Sequence, residues 1–333
     1  MVSWRLFNLI SEMRTGLFIM CVSVAAAGII VPGCAEMDDE ALTPGYAEVT
    51  VRIEGLDGAA GKSEDPGECL ISDVNLFIFN SQGVLDEWRY FYGNELKSIR
   101  LIRGAEYTVY ACANLGIEID DIIDEEDLRE RRYYMAYPDE YRMGMPMTGV
   151  VSGLRVEEDM DFTVPVTRMM ARVSVSVDRS GLDDGVVLDV RSMRVGNCPN
   201  STSMFPPGKA VNDRHLFASG FMKSEEQVSE LNYNAHDGVS GEVSLYLMEN
   251  MQGEDASGVC SYVELKVDYE SDIYMCTRYS YLLYRFYIRD EDGSYNVRRN
   301  RHYHITVRPV GDGLGTVDGW RVDASHLMKR SGP

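Results

Sequence analysis

Residues 165–178 read PVTRMMARVSVSVD, and from Arg172 onward apolar and polar side chains alternate without exception. Because successive side chains of a β-strand point to opposite faces of a sheet, this alternation predicts a strand with one buried face. Phe162, Val164 and Val166 show the same period just upstream. We therefore expect one long strand that serves two domains, with the boundary between residues 170 and 171.

Toward the N-terminus, the same alternation recurs in a series of short segments separated by turn residues. The first is AEVTVRI (47–53), in which Val49, Val51 and Ile53 share one face. Residues 117–134 differ, because their apolar residues follow helical spacing and their acidic residues precede their basic ones, as suits a helix dipole. We expect one short helix here, inserted between strands. Further strands are predicted at residues 71–79, 84–92 and 107–112.

Toward the C-terminus, the pattern of short strands and turns continues to the end of the chain. Many short strands with regular turns and little helix are typical of paired antiparallel sheets. The sequence thus predicts an all-β protein with two tandem antiparallel β-sandwich domains, residues 47–170 and 171–325, and a tail at 326–333. Strands are expected near residues 186–195, 243–248, 261–268, 276–288, 295–298, 302–308 and 319–323.

The N-terminus carries the pattern of an export signal. Residues 16–31 contain no charge and follow Arg14, and sixteen apolar residues are short for a spanning helix but suit a signal peptide. The segment ends Val-Pro-Gly-Cys at Cys34, which resembles a lipobox. We predict that residues 1–33 are removed, that Cys34 is lipidated and that residues 34–46 form an acidic tether. An uncleaved anchor is the alternative, and translation starts at Met1 or Met13.

Composition excludes some partners and leaves others open. Of 333 residues, 32 are Lys or Arg and 53 are Asp or Glu, which gives a net charge of −21. Because such a field repels phosphate, nucleic acid is excluded as a partner. After the signal and Cys34, five cysteines remain, without C-x-x-C spacing and with no pairing that the sequence can assign. They are Cys69, Cys112, Cys198, Cys260 and Cys276.

No constellation of catalytic residues is visible. His302 and His304 lie two apart on a predicted strand, so both point to one face and could hold a metal ion if a third ligand were near. Ordinary surface residues are the simpler interpretation. Asp290-Glu291-Asp292-Gly293 lacks the spacing of a calcium loop and is better explained as a turn. The sequence therefore predicts no cofactor, no metal and no enzymatic activity.

Segments spread over the chain resemble the fimbrillin superfamily of Bacteroidetes, the FimA/Mfa-like pilins and accessory subunits. Each alone is a weak pattern, but together, in order behind a lipobox, they are fairly specific. The segments are VNLFIFNSQGVL (74–85), YTVYACANLG (107–116), MPMTG (145–149), PVTRMMARVSVSVD (165–178), SLYLMENMQG (244–253), RNRHYHITVRPVG (299–311) and GWRVD (319–323).

The resemblance implies two transthyretin-like sandwiches and a structural or tip subunit of a surface fimbria, held at the outer membrane by lipid on Cys34. In that family a protease specific for Arg or Lys removes the first strand from some subunits, and a strand of another subunit replaces it by β-augmentation. Here the exchangeable strand is 47–53, with Val49, Val51 and Ile53 facing inward. Cleavage after Lys62 is favoured over cleavage after Arg52, because loop residues are accessible.

The alternative function is that of a surface lipoprotein that binds glycan or protein ligands on host or bacterial surfaces without polymerising. Exposed aromatic residues such as Trp88, Tyr90 or Tyr133 would form its contact patch, although core packing explains most of them equally well. Whether the chain belongs to the stalk, the tip or the anchor of a fimbria is left open by the sequence.

Overall fold

Strands dominate the first half of the chain, as its alternating pattern predicts. The computed structural model describes residues 45–56, 66–135, 141, 144–206, 217–218, 221–233, 238–254, 258–277, 280–315 and 321–330. A 3-10 helix spans Pro66–Cys69. The strands are β1 (Tyr46–Gly55), β2 (Asp73–Asn80), β3 (Leu85–Tyr92), β4 (Glu95–Ile102), β5 (Glu106–Ala113), β6 (Arg132–Tyr134), β7 (Met147–Arg155) and β8 (Met160–Arg168).

Seven of these strands form two layers around a shared core. One layer has the order β3-β2-β5-β7 and the other β8-β1-β4, and a short pairing of β7 with β8 joins them. Alternate side chains of both layers belong to one buried cluster, the first core, exemplified by Val49 of β1, Leu76 of β2 and Val109 of β5. The alternation seen in the sequence thus places one face of each strand in a sandwich-like core.

Gly149 of β7 allows the two layers to meet closely. A Cβ atom at this position would lie 1.9 Å from the carbonyl oxygen of Pro165 in β8. No side chain fits in that space, so glycine is required here by the close approach of two backbones.

The described part of the second half contains both long strands and strands of only two or three residues, together with a 3-10 helix at Glu226–Asn232. The strands are β9 (Met170–Val177), β10 (Gly181–Leu182), β11 (Val187–Gly196), β12 (Cys198–Pro199), β13 (Ser201–Ser203), β14 (Phe217–Ala218), β15 (Met222–Lys223), β16 (Val243–Met248), β17 (Tyr262–Glu270), β18 (Tyr274–Met275), β19 (Leu282–Tyr287), β20 (His302–Val307), β21 (Val310–Gly311), β22 (Arg321–Asp323) and β23 (Met328–Lys329).

A second core lies between the sheets of this half. The larger sheet is built on β11, β17 and β19, and the smaller sheet has the order β16-β9-β20. Val173 of β9, Leu245 of β16 and Leu265 of β17 belong to the same buried cluster. Strand β20 pairs in parallel with β9 and has no second neighbour among the described strands, so it is an edge strand.

A third buried cluster, the junction core, connects the two halves. Phe77 and Tyr110 project from the outer face of the first sandwich, and Met204 and Phe205 come from the second half. The rings of Tyr110 and Phe205 meet edge to face with centroids 4.7 Å apart. Strand β6 also pairs with β13, which ties the inserted segment to the second half.

The predicted helix over residues 117–134 is wrong in extent. Only α1 (Glu125–Glu130) is helical. Asp124 is the N-cap residue of this helix. Its carboxylate accepts a hydrogen bond from the backbone N–H of Asp127, and this cap fixes the start of the helix. Ile119 and Ile122 are buried in the junction core without being helical, so their spacing reflects tertiary packing.

Three further expectations about strands need correction. The predicted continuous strand across residues 165–178 is interrupted at Met169, which is fully buried in the junction core. Residues 276–288 do not form one strand, because β19 begins only at Leu282. Residues 295–298 do not form a strand. They contribute one isolated β-bridge, in which the backbones of Val297 and Asn250 exchange two hydrogen bonds.

Cys112, Cys198 and Cys276 form no disulfide with one another. Cys112, Cys198 and Cys260 are buried, and they behave as small apolar residues. In the part of the chain that the structure describes, no helix is both long enough and apolar enough to cross a membrane.

Candidate strand-exchange site

Strand β1 occupies an interior position in its layer although it is the first strand of the described chain. It pairs antiparallel with β4 and parallel with β8, the latter over seven residue pairs from Val49 to Gly55. The ladder with β4 shifts by one residue between Val49 and Val51, opposite Ser98, whose φ is 60°. The strand is therefore hydrogen-bonded along both edges.

The inward face of β1 is completely buried. Val49 and Val51 are 0% exposed and Ile53 is 1% exposed, and all three belong to the first core. Burial of an aliphatic side chain of this size is worth about 1.5–3 kcal/mol, so the three together contribute about 5–9 kcal/mol. Because a whole domain is stable by only about 5–15 kcal/mol, the sandwich cannot lose this strand without a replacement.

The outward face of β1 is polar and weakly held. Arg52 is half-exposed and pairs with Asp161 of β8 at 3.1 Å and with Glu95 of β4 at 3.5 Å. Exposed ion pairs of this kind are worth about 0–1 kcal/mol. The inward face and the backbone ladders therefore hold the strand, and a replacement would need matching apolar side chains at alternate positions.

Arg103 holds the beginning of β1. Its guanidinium donates to the carbonyl of Tyr46 at 2.8 Å and to the carboxylate of Asp159 at 2.9 Å, while its backbone N–H donates to Gly45. The Asp159 carboxylate also accepts from the backbone N–H of Glu48 at 3.0 Å. These bonds hold the first residues of β1 against the neighbouring strands.

Glu68, in the 3-10 helix Pro66–Cys69, holds the segment that follows β1 in the described chain. This side chain is buried and forms ion pairs with Arg168 and Arg172, the second at 3.1 Å, and it accepts a hydrogen bond from the hydroxyl of Tyr246. The carboxylate thus joins the segment after β1 to β8, β9 and β16. This network is a feature that the sequence alone does not indicate.

The predicted site residues divide into two groups. Cys34 and Lys62 lie outside the described residues, so lipidation and cleavage there stay predictions. Val49, Val51, Ile53 and Arg52 lie together on β1, the first three facing inward and Arg52 facing outward. The exchange of this strand likewise stays a prediction, with a geometry that permits it.

A second cluster of polar side chains lies on the sheet β16-β9-β20. His302 and His304 project from the same side of β20 with ring centroids 3.8 Å apart, and Glu242 just before β16 places its Oε2 3.2 Å from His304 Nδ1. The buried hydroxyl of Ser174 lies 2.6 Å from His302 Nε2. The structure thus supplies the third potential ligand that the sequence did not reveal.

The environment of this cluster shifts the pKa values of His302 and Glu242. Burial lowers the pKa of His302, and the positive charges of His304 and Arg172 lower it further. Burial raises the pKa of Glu242, but hydrogen bonds from Ser174 and His304, together with the charges of His304 and His302, outweigh it and hold the pKa below its usual value. The cluster therefore favours a neutral imidazole at His302 next to a carboxylate.

The aromatic patch expected from Trp88, Tyr90 and Tyr133 is not a single surface. Trp88 and Tyr133 pack against the junction core. Tyr90 remains partly exposed on β3 and forms an edge-to-face pair with Tyr92, whose exposure is 80%, at a centroid distance of 5.5 Å. Among the described residues of this patch, the Tyr90–Tyr92 pair is the part that lies away from the junction core.

Comparison with known proteins gives a clear result at the level of structure. No protein-family model matches the chain, and a search of curated proteins finds no match either. Among solved structures, the tip fimbrial protein Mfa3 of Porphyromonas gingivalis is 13% identical, with a TM-score of 0.56 over 86% of this chain and 99% of that one.

Two further structures show the same similarity. A fimbrilin, FimA, of Porphyromonas gingivalis has a TM-score of 0.54 at 12% identity, over 83% of this chain and 95% of that chain. A fimbrial assembly protein of Parabacteroides distasonis has a TM-score of 0.50 at 13% identity, over 86% and 100%. With its all-β halves and its interior first strand, the chain has a fimbrillin-like fold.

Proposed function

We propose that this chain is a structural or tip subunit of a bacterial surface fimbria, and that it is not an enzyme. In this proposal it consists of two transthyretin-like domains, 47–170 and 171–325. It is exported as a lipoprotein that is held at the outer membrane through Cys34. It assembles with other fimbrial subunits by exchange of β1. The fimbrial neighbours in fold support the role, and the position of β1 supports the mode of assembly.

The observation that carries the proposal is that the first strand is an interior strand. Removal of β1 would expose the edges of β4 and β8 together with an apolar groove that three buried side chains fill. An added strand would restore the backbone hydrogen bonds and fill the groove with alternate side chains. Such a body has a strong and directed affinity for one extended segment.

The flanking contacts favour Lys62 over Arg52 as the cleavage site. Arg52 lies within β1 and is paired on both edges, so a protease would need to unfold the strand to reach it. Cleavage after Lys62 would separate the whole of β1 from a chain that begins at Ser63. Because Glu68 follows five residues later in a buried ion-pair network, the new N-terminus would remain attached to the body.

The matched variants Lys62→Gln and Arg52→Gln test this proposal. Cells that express the wild-type chain should give a ladder of polymers on partly denaturing gels, and mass spectrometry should find a mature N-terminus at Ser63. Lys62→Gln should abolish both, whereas Arg52→Gln should retain both. A wild-type chain that stays monomeric, or a Lys62→Gln variant that still polymerises, would contradict strand exchange after cleavage.

A separate measurement tests the anchor. Mass spectrometry of the Lys62→Gln variant, which keeps the segment before Ser63, should find a lipidated Cys34, and adding Cys34→Ser to this variant should release it from the outer-membrane fraction. If the serine variant remains in that fraction to the same extent, the lipoprotein part of the proposal is wrong.

The Tyr90–Tyr92 pair favours a second candidate function, that of a non-polymerising lipoprotein that binds glycan or protein ligands. Aromatic rings on an exposed edge strand present a flat apolar face with a polar tip, which suits such ligands. Under this alternative, wild type remains monomeric, and Tyr92→Ala loses binding on a glycan array.

A further inference from the structure

Three side chains that are typical metal ligands converge on one side of the small sheet β16-β9-β20. Glu242, His302 and His304 each offer one ligand atom, and these three atoms all lie within 4.8 Å of one another. The convergence depends on strand pairing, because Glu242 precedes β16 while both histidines lie on β20, on the opposite side of the central strand β9. Two imidazoles and one carboxylate form a common ligand set for zinc.

We infer that Glu242, His302 and His304 bind a divalent transition-metal ion of the kind that prefers imidazole nitrogen, such as Zn²⁺. A fourth position would remain for water or for a carboxylate of a neighbouring molecule, since the two outer ligands are exposed. This inference rests on the side-chain cluster alone and is independent of the fimbrial role.

One of the three distances between ligand atoms already matches a tetrahedral ion, and all three atoms lie within 4.8 Å of one another. Ligands that bind zinc at about 2.0–2.1 Å in tetrahedral geometry stand about 3.3 Å apart. His304 Nδ1 and Glu242 Oε2 are 3.2 Å apart. The ring of His302 is held in place by Ser174, whose hydroxyl shares a further hydrogen bond of 2.6 Å with Ser244. Polar partners behind the ligands orient them, as is usual in metal sites.

The two histidines border open space. His302 and His304 form part of the wall of a cleft of about 440 Å³ that is also lined by Arg301 and Glu291. Arg172 lies near His302 and shares the Glu68 carboxylate with Arg168, so this group keeps one positive charge that a bound cation would have to tolerate. The net charge of the chain, −21, further favours the approach of a cation.

Isothermal titration of the metal-free full chain in detergent with ZnCl₂ tests the inference. We expect one saturable site per chain, and no comparable site for MgCl₂, which prefers oxygen ligands. His304→Asn and Glu242→Gln should each weaken zinc binding more than about tenfold, because the loss of a direct ligand should cost at least as much as the loss of an outer partner. His326→Asn is the matched control, since His326 is an exposed histidine stacked on Tyr281, and it should bind zinc as wild type does.

A measurement on the wild-type chain removes any dependence on the folding of the variants. Zinc should protect His304 from modification by diethylpyrocarbonate, as read by mass spectrometry, while His326 should remain reactive. The inference is overturned if wild type shows no saturable zinc site, if Glu242→Gln and His304→Asn bind as tightly as wild type, or if zinc protects the two histidines equally.

Discussion

At the scale of single residues, Glu68 connects the segment after β1 to the body of the protein. Its carboxylate is 3% exposed and meets two guanidinium groups and one hydroxyl from β8, β9 and β16. Removal of one partner from a buried ion pair is costly, because the charge that remains has lost both its partner and its water.

We expect Glu68→Gln to lower the free energy of unfolding by about 3–5 kcal/mol, because the buried Arg168 and the partly buried Arg172 both lose their carboxylate partner. Urea denaturation of the full chain in detergent would measure the change. Glu157→Gln is the matched control, since it removes a pair with Arg155 in which both side chains are more than 60% exposed, and it should cost less than about 1 kcal/mol. Equal effects of the two substitutions would show that the buried network adds no stability.

The inward-facing residues of β1 can be predicted from the sequence more fully than the cluster of Glu242, His302 and His304 can. Val49, Val51 and Ile53 are found from a local period of two, which depends only on the chain's own geometry. Glu242 is not found in this way, because its distance from His304 is set by the pairing of β16 and β20 with β9. Pairing between strands far apart in the chain leaves no local pattern.

At the scale of elements, the contact between β7 and β8 closes the first sandwich. We expect Gly149→Ala to lower the free energy of unfolding by about 1–3 kcal/mol or more, because the new methyl group would lie 1.9 Å from the carbonyl oxygen of Pro165. Thermal unfolding followed by circular dichroism would measure the loss.

Gly315→Ala is the control for this substitution. An added Cβ at Gly315 meets no atom within 4 Å, so the midpoint of unfolding should be nearly unchanged. If Gly149→Ala is as stable as Gly315→Ala, the two layers are not held at the distance that the structure gives.

A predicted strand or helix is correct where a local sequence pattern determines the secondary structure, and it is wrong where tertiary packing determines it. The alternating segments at 47–53 and 107–112 lie within β1 and β5. The segment 117–134 follows helical spacing, yet its isoleucines are buried without a helix because the junction core receives them. The strand across 165–178 is interrupted because Met169 inserts into the same core, which the alternation on either side does not indicate.

At the scale of the whole molecule, the junction core links the two halves. Phe205 of the second half packs against Tyr110 of the first and is 5% exposed. Because buried aromatic contacts between two cores make their unfolding interdependent, the halves should unfold together as long as this cluster is intact.

We expect Phe205→Ala to lower the free energy of unfolding by about 3–5 kcal/mol and to split a single calorimetric transition into two, because a cavity opens between the halves. Differential scanning calorimetry would measure both effects. Tyr92→Ala, at a site that is 80% exposed, should leave the transition single and shift it little. If Phe205→Ala unfolds in a single transition with the same midpoint temperature as Tyr92→Ala, the junction core does not couple the two halves.

The mixed pairing of β1 has a consequence for any filament made by exchange. A substitute segment can satisfy β4 and β8 together only if it runs in the same N-to-C sense as β1, antiparallel to one and parallel to the other. In two joined copies, the subunit that gives the strand and the subunit that receives it can then not exchange roles. Every fibre would have two chemically distinct ends, and it would grow with a fixed polarity set by one strand.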